Sequence, residues 1–188
     1  MAQGRFAEAI AHFQRVFVAY QRYREWVAKA YIESADAFRV RYPDGSHDAE
    51  AVLVTPKGDI LIVTKGDTGP VALYRLPYDA TPGGTATLQA VGKPRQSGKP
   101  AANERITDGA ASPSGAWVAL RTNAAILLYR TDDLMSGKWS EAGRVSLEEL
   151  GEPQGEGITF GDEQTVYLVG EGGGKGQPGT FVRLTCGW

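Results

Sequence analysis

Three segments after residue 47 repeat one pattern: a short apolar run, a tight polar turn, a second apolar run and then a third. The copies begin near Asp48, Thr107 and Gln154. Turns rich in glycine and proline between short apolar runs are typical of β-hairpins. Because each copy has the same order of strands and turns, the repeat predicts stacked antiparallel sheets. The pattern therefore constrains the architecture strongly and the function weakly.

Alternation of apolar and polar residues places the strands within each copy. The predicted strands cover residues 51–55, 60–64, 71–75 and 85–91 in the first copy, 109–112, 117–121, 125–129 and 144–146 in the second, and 157–160, 165–169 and 180–184 in the third. Four strands at intervals of about 50 residues are typical of a β-propeller blade. A β-sandwich is the competing all-β architecture, but it predicts no such internal alignment.

Residues 4–39 have helical rather than strand periodicity. Phe6, Ile10, Phe13 and Phe17 share one helical stripe, and a second stripe begins at Val27. The short link between them predicts an antiparallel helical hairpin. We therefore predict an α+β chain with two domains: a helical hairpin over residues 1–42, then three antiparallel propeller-like blades over 43–188, an incomplete propeller.

Three blades are fewer than the roughly four to eight that close a propeller. Sheets stacked in an open arc expose an apolar face at each end, and large apolar patches are unusual on monomers. The helical hairpin, a second copy completing six blades, or further sequence could cover those faces. The predicted partner is thus another protein or the chain itself.

Composition excludes several other classes. A formal net charge of −2 provides no electrostatic reason to bind nucleic acid. No apolar run approaches the roughly 20 residues that span a bilayer, and the first residues lead into an amphipathic helix rather than a signal peptide. Cys186 is the single cysteine, so no internal disulfide can form. We expect it to be buried and inert.

Alignment of the copies places Glu50, Thr107 and Glu156 at one equivalent position near the start of each first strand. Hairpin pairing predicts that Glu50 lies opposite Lys65, that Asp108 lies opposite Arg121, and that Glu156 lies near Glu171. Together with Asp48 and Gln154, these side chains are predicted to form a polar cluster at the mouth of a central channel. One interpretation is structural: cross-strand ion pairs that join neighbouring sheets.

The second interpretation is a metal site. Glu156 and Glu171 would repel each other unless a cation lay between them, and oxygen ligands of this kind suit Ca²⁺. Glu50 is the third candidate ligand. Such an ion could polarise a scissile bond and activate water, as in a calcium-dependent esterase or phosphatase.

Three resemblances accompany these patterns. The segment Gly4-Arg5-Phe6-Ala7-Glu8-Ala9-Ile10 resembles the second helix of a tetratricopeptide repeat. Residues 40–186, including Arg41-Tyr42-Pro43-Asp44-Gly45 and Leu73-Tyr74-Arg75-Leu76-Pro77, resemble the second half of a family of bacterial six-bladed propellers, which are mostly exported and resemble WD40-type repeat proteins in their blades. The Glu156-Gly157-Ile158 and Glu171 pattern is similar to that of esterase-like phytase propellers.

Together the residues favour a non-catalytic protein-interaction or scaffold module that self-associates. The calcium-dependent hydrolase is the alternative, and Ca²⁺ is its only predicted cofactor. Because the chain carries no export signal while the resembled family is mostly exported, the compartment is left open.

Overall fold

The computed structural model describes residues 39–81, 83–173 and 176–187. The predicted helical hairpin, residues 1–42, lies outside the described residues except for its last four, and Arg39–Arg41 among these form a strand. The chain divides into two compact units, Met1–Arg39 with Ala80–Thr85 and Val40–Asp79 with Ala86–Trp188. Nearly all the elements below belong to the second unit.

Thirteen strands occupy the described residues, and they are numbered in chain order. They are β1 (Arg39–Arg41), β2 (Ala49–Val54), β3 (Ile60–Thr64), β4 (Leu73–Arg75), β5 (Thr85–Thr87), β6 (Gln89–Ala90), β7 (Ile106–Ala111), β8 (Trp117–Thr122), β9 (Ala125–Arg130), β10 (Glu141–Ser146), β11 (Gln154–Phe160), β12 (Thr165–Glu171) and β13 (Thr180–Thr185). One α-helix, α1 (Thr131–Met135), and two 3₁₀ turns, Ala102–Glu104 and Glu148–Leu150, complete the described elements.

The strands form three antiparallel sheets and one further two-stranded pair. The first sheet has the order β2-β3-β4-β6, the second β7-β8-β9-β10 and the third β11-β12-β13, while β1 pairs with β5. The first strands of successive sheets lie side by side, because β2 contacts β7 and β7 contacts β11. Multiple antiparallel sheets, one for each repeat, are therefore present.

The predicted α+β fold class is wrong. Strands dominate the described residues, and their only α-helix, Thr131–Met135, is five residues long. The prediction assigned the class from residues 4–39, and strand β1 begins at the end of that segment. The described part of the chain is a mostly β structure.

The sheets pack through alternating side chains. One face of the second sheet, including Leu120 and Leu127, packs on Leu53 and Val63 of the first sheet. Its opposite face, including Ile126 and Leu128, packs on the apolar residues of the third. The second sheet is therefore buried on both faces, which is why β8 and β9 read as nearly continuous apolar runs.

Each of the three sheets begins with the same irregularity. The pairing of the first strand with the second shifts between Ala49 and Ala51, between Ile106 and Asp108, and between Gly155 and Gly157. The residue inserted at the shift is Glu50, Thr107 or Glu156, which is the position that the sequence alignment made equivalent. Bulges bend a strand and redirect the neighbouring side chains. The residues predicted to form the polar cluster thus lie at or near three equivalent bulges.

Candidate functional site

The first bulge carries an exposed ion pair. Lys65 Nζ lies 2.6 Å from Glu50 Oε1, and each side chain is 32% exposed. The hydrogen bond from Lys65 to Glu50 raises the pKa of the lysine, and the charge of Asp48 acts in the same direction. Asp48 also accepts the Lys65 backbone amide through its carbonyl at 2.8 Å. The first bulge therefore carries a solvent-exposed salt bridge, of the kind that the interpretation as cross-strand ion pairs expects.

The second bulge leads to a buried arginine. Asp108 and Arg121 are register partners, yet Arg121 donates elsewhere. Its Nη1 donates to the carbonyl oxygens of Gly157 at 2.7 Å and Val169 at 2.8 Å, both in the third sheet. Its Nη2 forms an ion pair with Glu152, and neither side chain is exposed beyond 4%. Arg121 therefore joins the second sheet to the third.

Asp108 makes a parallel connection between the same two sheets. Its Oδ2 accepts the backbone amide of Ile158 at 2.8 Å. Burial raises the pKa of Asp108, and the amide hydrogen bonds together with the charge of Arg121 oppose that effect. Burial likewise lowers the pKa of Arg121, while Glu152 acts to raise it. Charges in this network are thus costly to bury and depend on their partners.

The sequence did not single out Glu152 as a site residue. It lies between the 3₁₀ turn Glu148–Leu150 and β11, where no periodicity marks a buried position. Its second oxygen accepts a hydrogen bond from the Thr180 hydroxyl. Gly155 leaves the space that the pair needs, since a side chain there would overlap the Arg121 guanidinium. Because Glu152 is a single acidic residue before Pro153, no sequence pattern indicated that it pairs with Arg121.

At the third bulge, the predicted carboxylate pair is not directly opposed. Glu171 is the register partner of Gln154, and the Gln154 side-chain amide donates to Glu156. No group of three histidine, cysteine, aspartate or glutamate residues within 39–81, 83–173 and 176–187 is placed to hold a metal ion. The calcium site at Glu50, Glu156 and Glu171 remains a prediction from sequence.

A second polar cluster covers part of the outer face of the first sheet. The Tyr74 hydroxyl donates to Asp44 at 2.8 Å, and His47 Nε2 lies 3.0 Å from both the hydroxyl and the carboxylate. The Tyr42 ring packs edge-on against Tyr74 with centroids 4.9 Å apart. This cluster fastens residues 42–47 to the sheet.

The part of that outer face on β2 is exposed, whereas Ile62, Ala72 and Tyr74 are buried. Val52 is 62% exposed and Val54 is 47% exposed, although both lie on a strand of the apolar core. Val52 is paired across the strands with Ile62, which is nearly buried. The first sheet thus ends in an apolar strip at β2.

The third sheet exposes a matching strip on its own outer face. Phe181 is 74% exposed and Val169 is 50% exposed, and the two are cross-strand partners. The Tyr167 ring stacks on Phe181 with centroids 5.8 Å apart. Arg183, the partner of Tyr167, extends this face with a positive charge.

A comparison of equivalent positions in the three sheets shows that the strip on β2 lacks a neighbouring sheet. Counting from the bulges, Val52 corresponds to Gly109 in the second sheet and Ile158 in the third. A Cβ on Gly109 would lie 3.2 Å from Leu53 of the preceding sheet. Ile158 is buried against the second sheet. The position occupied by Val52 therefore faces a preceding sheet in both later copies.

The same comparison applies to the last strip. The register makes Val63, Arg121 and Val169 equivalent. Val63 packs against the second sheet, and Arg121 donates to the third. Val169 occupies the position that contacts a following sheet in the first two copies.

No protein-family model matches the chain, and no curated protein matches it. None of the described helices has the length and apolarity that a bilayer crossing requires.

Proposed function

We propose that this chain is a non-catalytic interaction module that self-associates head to tail, with the outer face of the first sheet of one copy packed on the outer face of the third sheet of another. The observation that carries the proposal is the exposure of Val52 and Val169 at positions equivalent to those buried between consecutive sheets, with Val54 and Phe181 exposed beside them. A second copy is the occupant because each chain presents both halves of the contact that its own sheets already use.

Head-to-tail packing of two copies about a twofold axis would cover all four faces at once. Both contacts would then be equivalent, and the pair would contain six sheets. Six is the blade number of the propeller family that residues 40–186 resemble, which supports this arrangement. Open repetition of the same contact would instead produce a filament.

Size-exclusion chromatography with light scattering tests the proposal. We expect twice the chain mass at micromolar concentration. Val52→Asp and Phe181→Asp should each produce a monomer, because either change buries an unpaired carboxylate in an apolar contact. Val145→Asp is the matched control: Val145 is 37% exposed on β10 and lies on neither outer face. A monomeric native chain would refute the proposal.

Mixing the two monomeric variants identifies which faces meet. A complex of Val52→Asp with Phe181→Asp contains one contact with both changes and one contact with neither. Head-to-tail packing therefore predicts that the mixture recovers a dimer that neither variant forms alone. If like faces met instead, the mixture would stay monomeric or only one variant would lose its dimer.

A further inference from the structure

A cleft of about 400 Å³ shares no lining residue with either exposed strip. Its walls include Arg95, Gln96, Glu104, Trp139 and Glu141. The first three belong to the connection between the first and second sheets, and the last two lie at the start of β10. This connection is held by specific contacts.

Two glycines bring the walls of the cleft together. Gly92 and Gly137 have φ values of +70° and +81°, and a side chain on Gly92 would overlap the Gly137 backbone. This close approach places the Lys93 carbonyl 2.9 Å from the Trp139 indole nitrogen, which donates to it. The Arg95 amide donates to the Val71 carbonyl at 2.8 Å. The indole and the connection are therefore fixed relative to each other.

The charges in the cleft are already balanced. Arg95 Nη2 lies 3.2 Å from Glu141 and 3.9 Å from Glu104. Arg144 contacts the same two carboxylates, at 3.1 Å from Glu104 and 3.2 Å from Glu141. An anionic ligand would compete with two carboxylates, and a cationic ligand would meet two guanidinium groups. Such a site favours a neutral ligand that makes hydrogen bonds.

One buried polar atom in the wall of the cleft makes no hydrogen bond within the described residues. It is Gln96 Oε1, an acceptor. Behind the cleft, the ring of the fully buried Tyr129 packs edge-on against Trp139 with centroids 5.7 Å apart. This packing holds the indole in place. An acceptor without a donor matches a ligand whose own groups donate, which hydroxyls do.

We propose that this cleft binds a neutral polyhydroxylated ring, such as one unit of a saccharide, with an apolar ring face against Trp139 and hydroxyls bonded to Gln96 and the Arg95–Glu141 pair. Aromatic side chains provide a large apolar surface for such stacking, and a few placed polar groups set the orientation. The proposal uses none of the residues of the self-association contact, so either can fail alone.

Titration followed by the Trp139 indole resonance in NMR spectra tests this proposal. The probes are the methyl glycosides of glucose, galactose, mannose and N-acetylglucosamine, with myo-inositol, inorganic phosphate and glycine as comparators. We expect a saturable shift with at least one glycoside or with inositol, at a Kd of roughly 1 mM, as is usual for a weak small-molecule complex. Phosphate and glycine should produce no saturable shift.

Variants separate binding from folding. Trp139→Ala should weaken glycoside binding by at least about tenfold, and Trp139→Phe by less, since phenylalanine retains an aromatic face. Gln96→Ala removes the unpartnered acceptor from a partly exposed position and should weaken binding several-fold without lowering the melting temperature. Trp117→Phe, at a tryptophan whose ring lies under Arg130 at 4.4 Å, is the matched control and should bind normally. If no glycoside or inositol shifts the indole resonance saturably, or if phosphate binds more tightly, the proposal is wrong.

Discussion

The ion pair between Arg121 and Glu152 permits the sharpest stability prediction. Arg121 Nη1 donates to two carbonyl oxygens of the third sheet at 2.7 and 2.8 Å, and Nη2 contacts Glu152. The relative exposures of the two side chains are 0% and 4%. Two substitutions perturb this network: Arg121→Met, which keeps most of the volume, and Glu152→Gln, which keeps the shape.

The magnitude follows from burial. Removing one member of a buried ion pair leaves an uncompensated charge and costs about 3–5 kcal/mol. Arg121→Met also leaves two buried carbonyls without their donor, so we expect a loss at the upper end of that range. Glu152→Gln still accepts hydrogen bonds, so we expect about 2 kcal/mol or more, in line with the difference between charged and neutral hydrogen bonds. The double variant should lose less than the sum, with a coupling of about 2 kcal/mol.

Urea denaturation of the four proteins measures these values as free energies of unfolding. Lys65→Met and Glu50→Gln form the matched control, because that pair is similarly close at 2.6 Å but exposed. The control changes should cost about 1 kcal/mol or less. If Arg121→Met costs no more than Lys65→Met, or if the two buried changes add within about 0.5 kcal/mol, this account of the junction is wrong.

Three further outcomes are expected from the described contacts. Gly155→Ala should lower the free energy of unfolding by about 1–3 kcal/mol, because the added methyl group would overlap Arg121. Gly69→Ala is the control and should have little effect, since there is open space around Gly69. Equal losses in the two variants would contradict this packing. Burial raises the pKa of the Cys186 thiol, so iodoacetamide should alkylate it more slowly in the native chain than in urea, and equal rates would show that it is accessible. Burial opposes ionisation of Glu141, but the neighbouring guanidinium groups outweigh it and lower its pKa. The stabilisation by that carboxylate is therefore present above its usual pKa of 4.5 and is lost as the pH falls through the lowered value. The difference in unfolding free energy between the native and Glu141→Gln proteins should shrink in acid. A difference that stays constant with pH would refute this assignment.

The strands of the three sheets could be predicted because their signal is local. Alternation along Ala49–Val54 or Thr165–Glu171 records which side chains face a neighbouring sheet. The fourth strand of the first sheet was less accessible. Residues 85–91 were predicted as one strand, but Thr85–Thr87 pairs with β1 and only Gln89–Ala90 joins β4. Which strand a short edge segment pairs with depends on residues far away in the sequence, and a local pattern of side chains contains no information about them.

The candidate site shows the same division. Repeat alignment placed Glu50, Thr107 and Glu156 together, and the structure places each of them at a bulge. The register makes Gln154 the partner of Glu171 and leaves Glu156 at the bulge, so the predicted closeness of Glu156 and Glu171 stays a prediction. Glu152 was missed altogether because its burial depends on the third sheet packing over it.

What the sequence determined by itself is the repeat: three strand–turn–strand units, their hairpins and the equivalence of their first strands. These features depend on turn residues and on side-chain alternation within a few positions of each other. Only the tertiary structure decided that Arg121 crosses to the third sheet, that Val52 and Phe181 remain exposed, and that Gly92 and Gly137 draw Arg95 and Trp139 into one cleft. Those outcomes depend on residues far apart in the chain coming within a few ångströms, which packing of whole sheets sets and local periodicity does not.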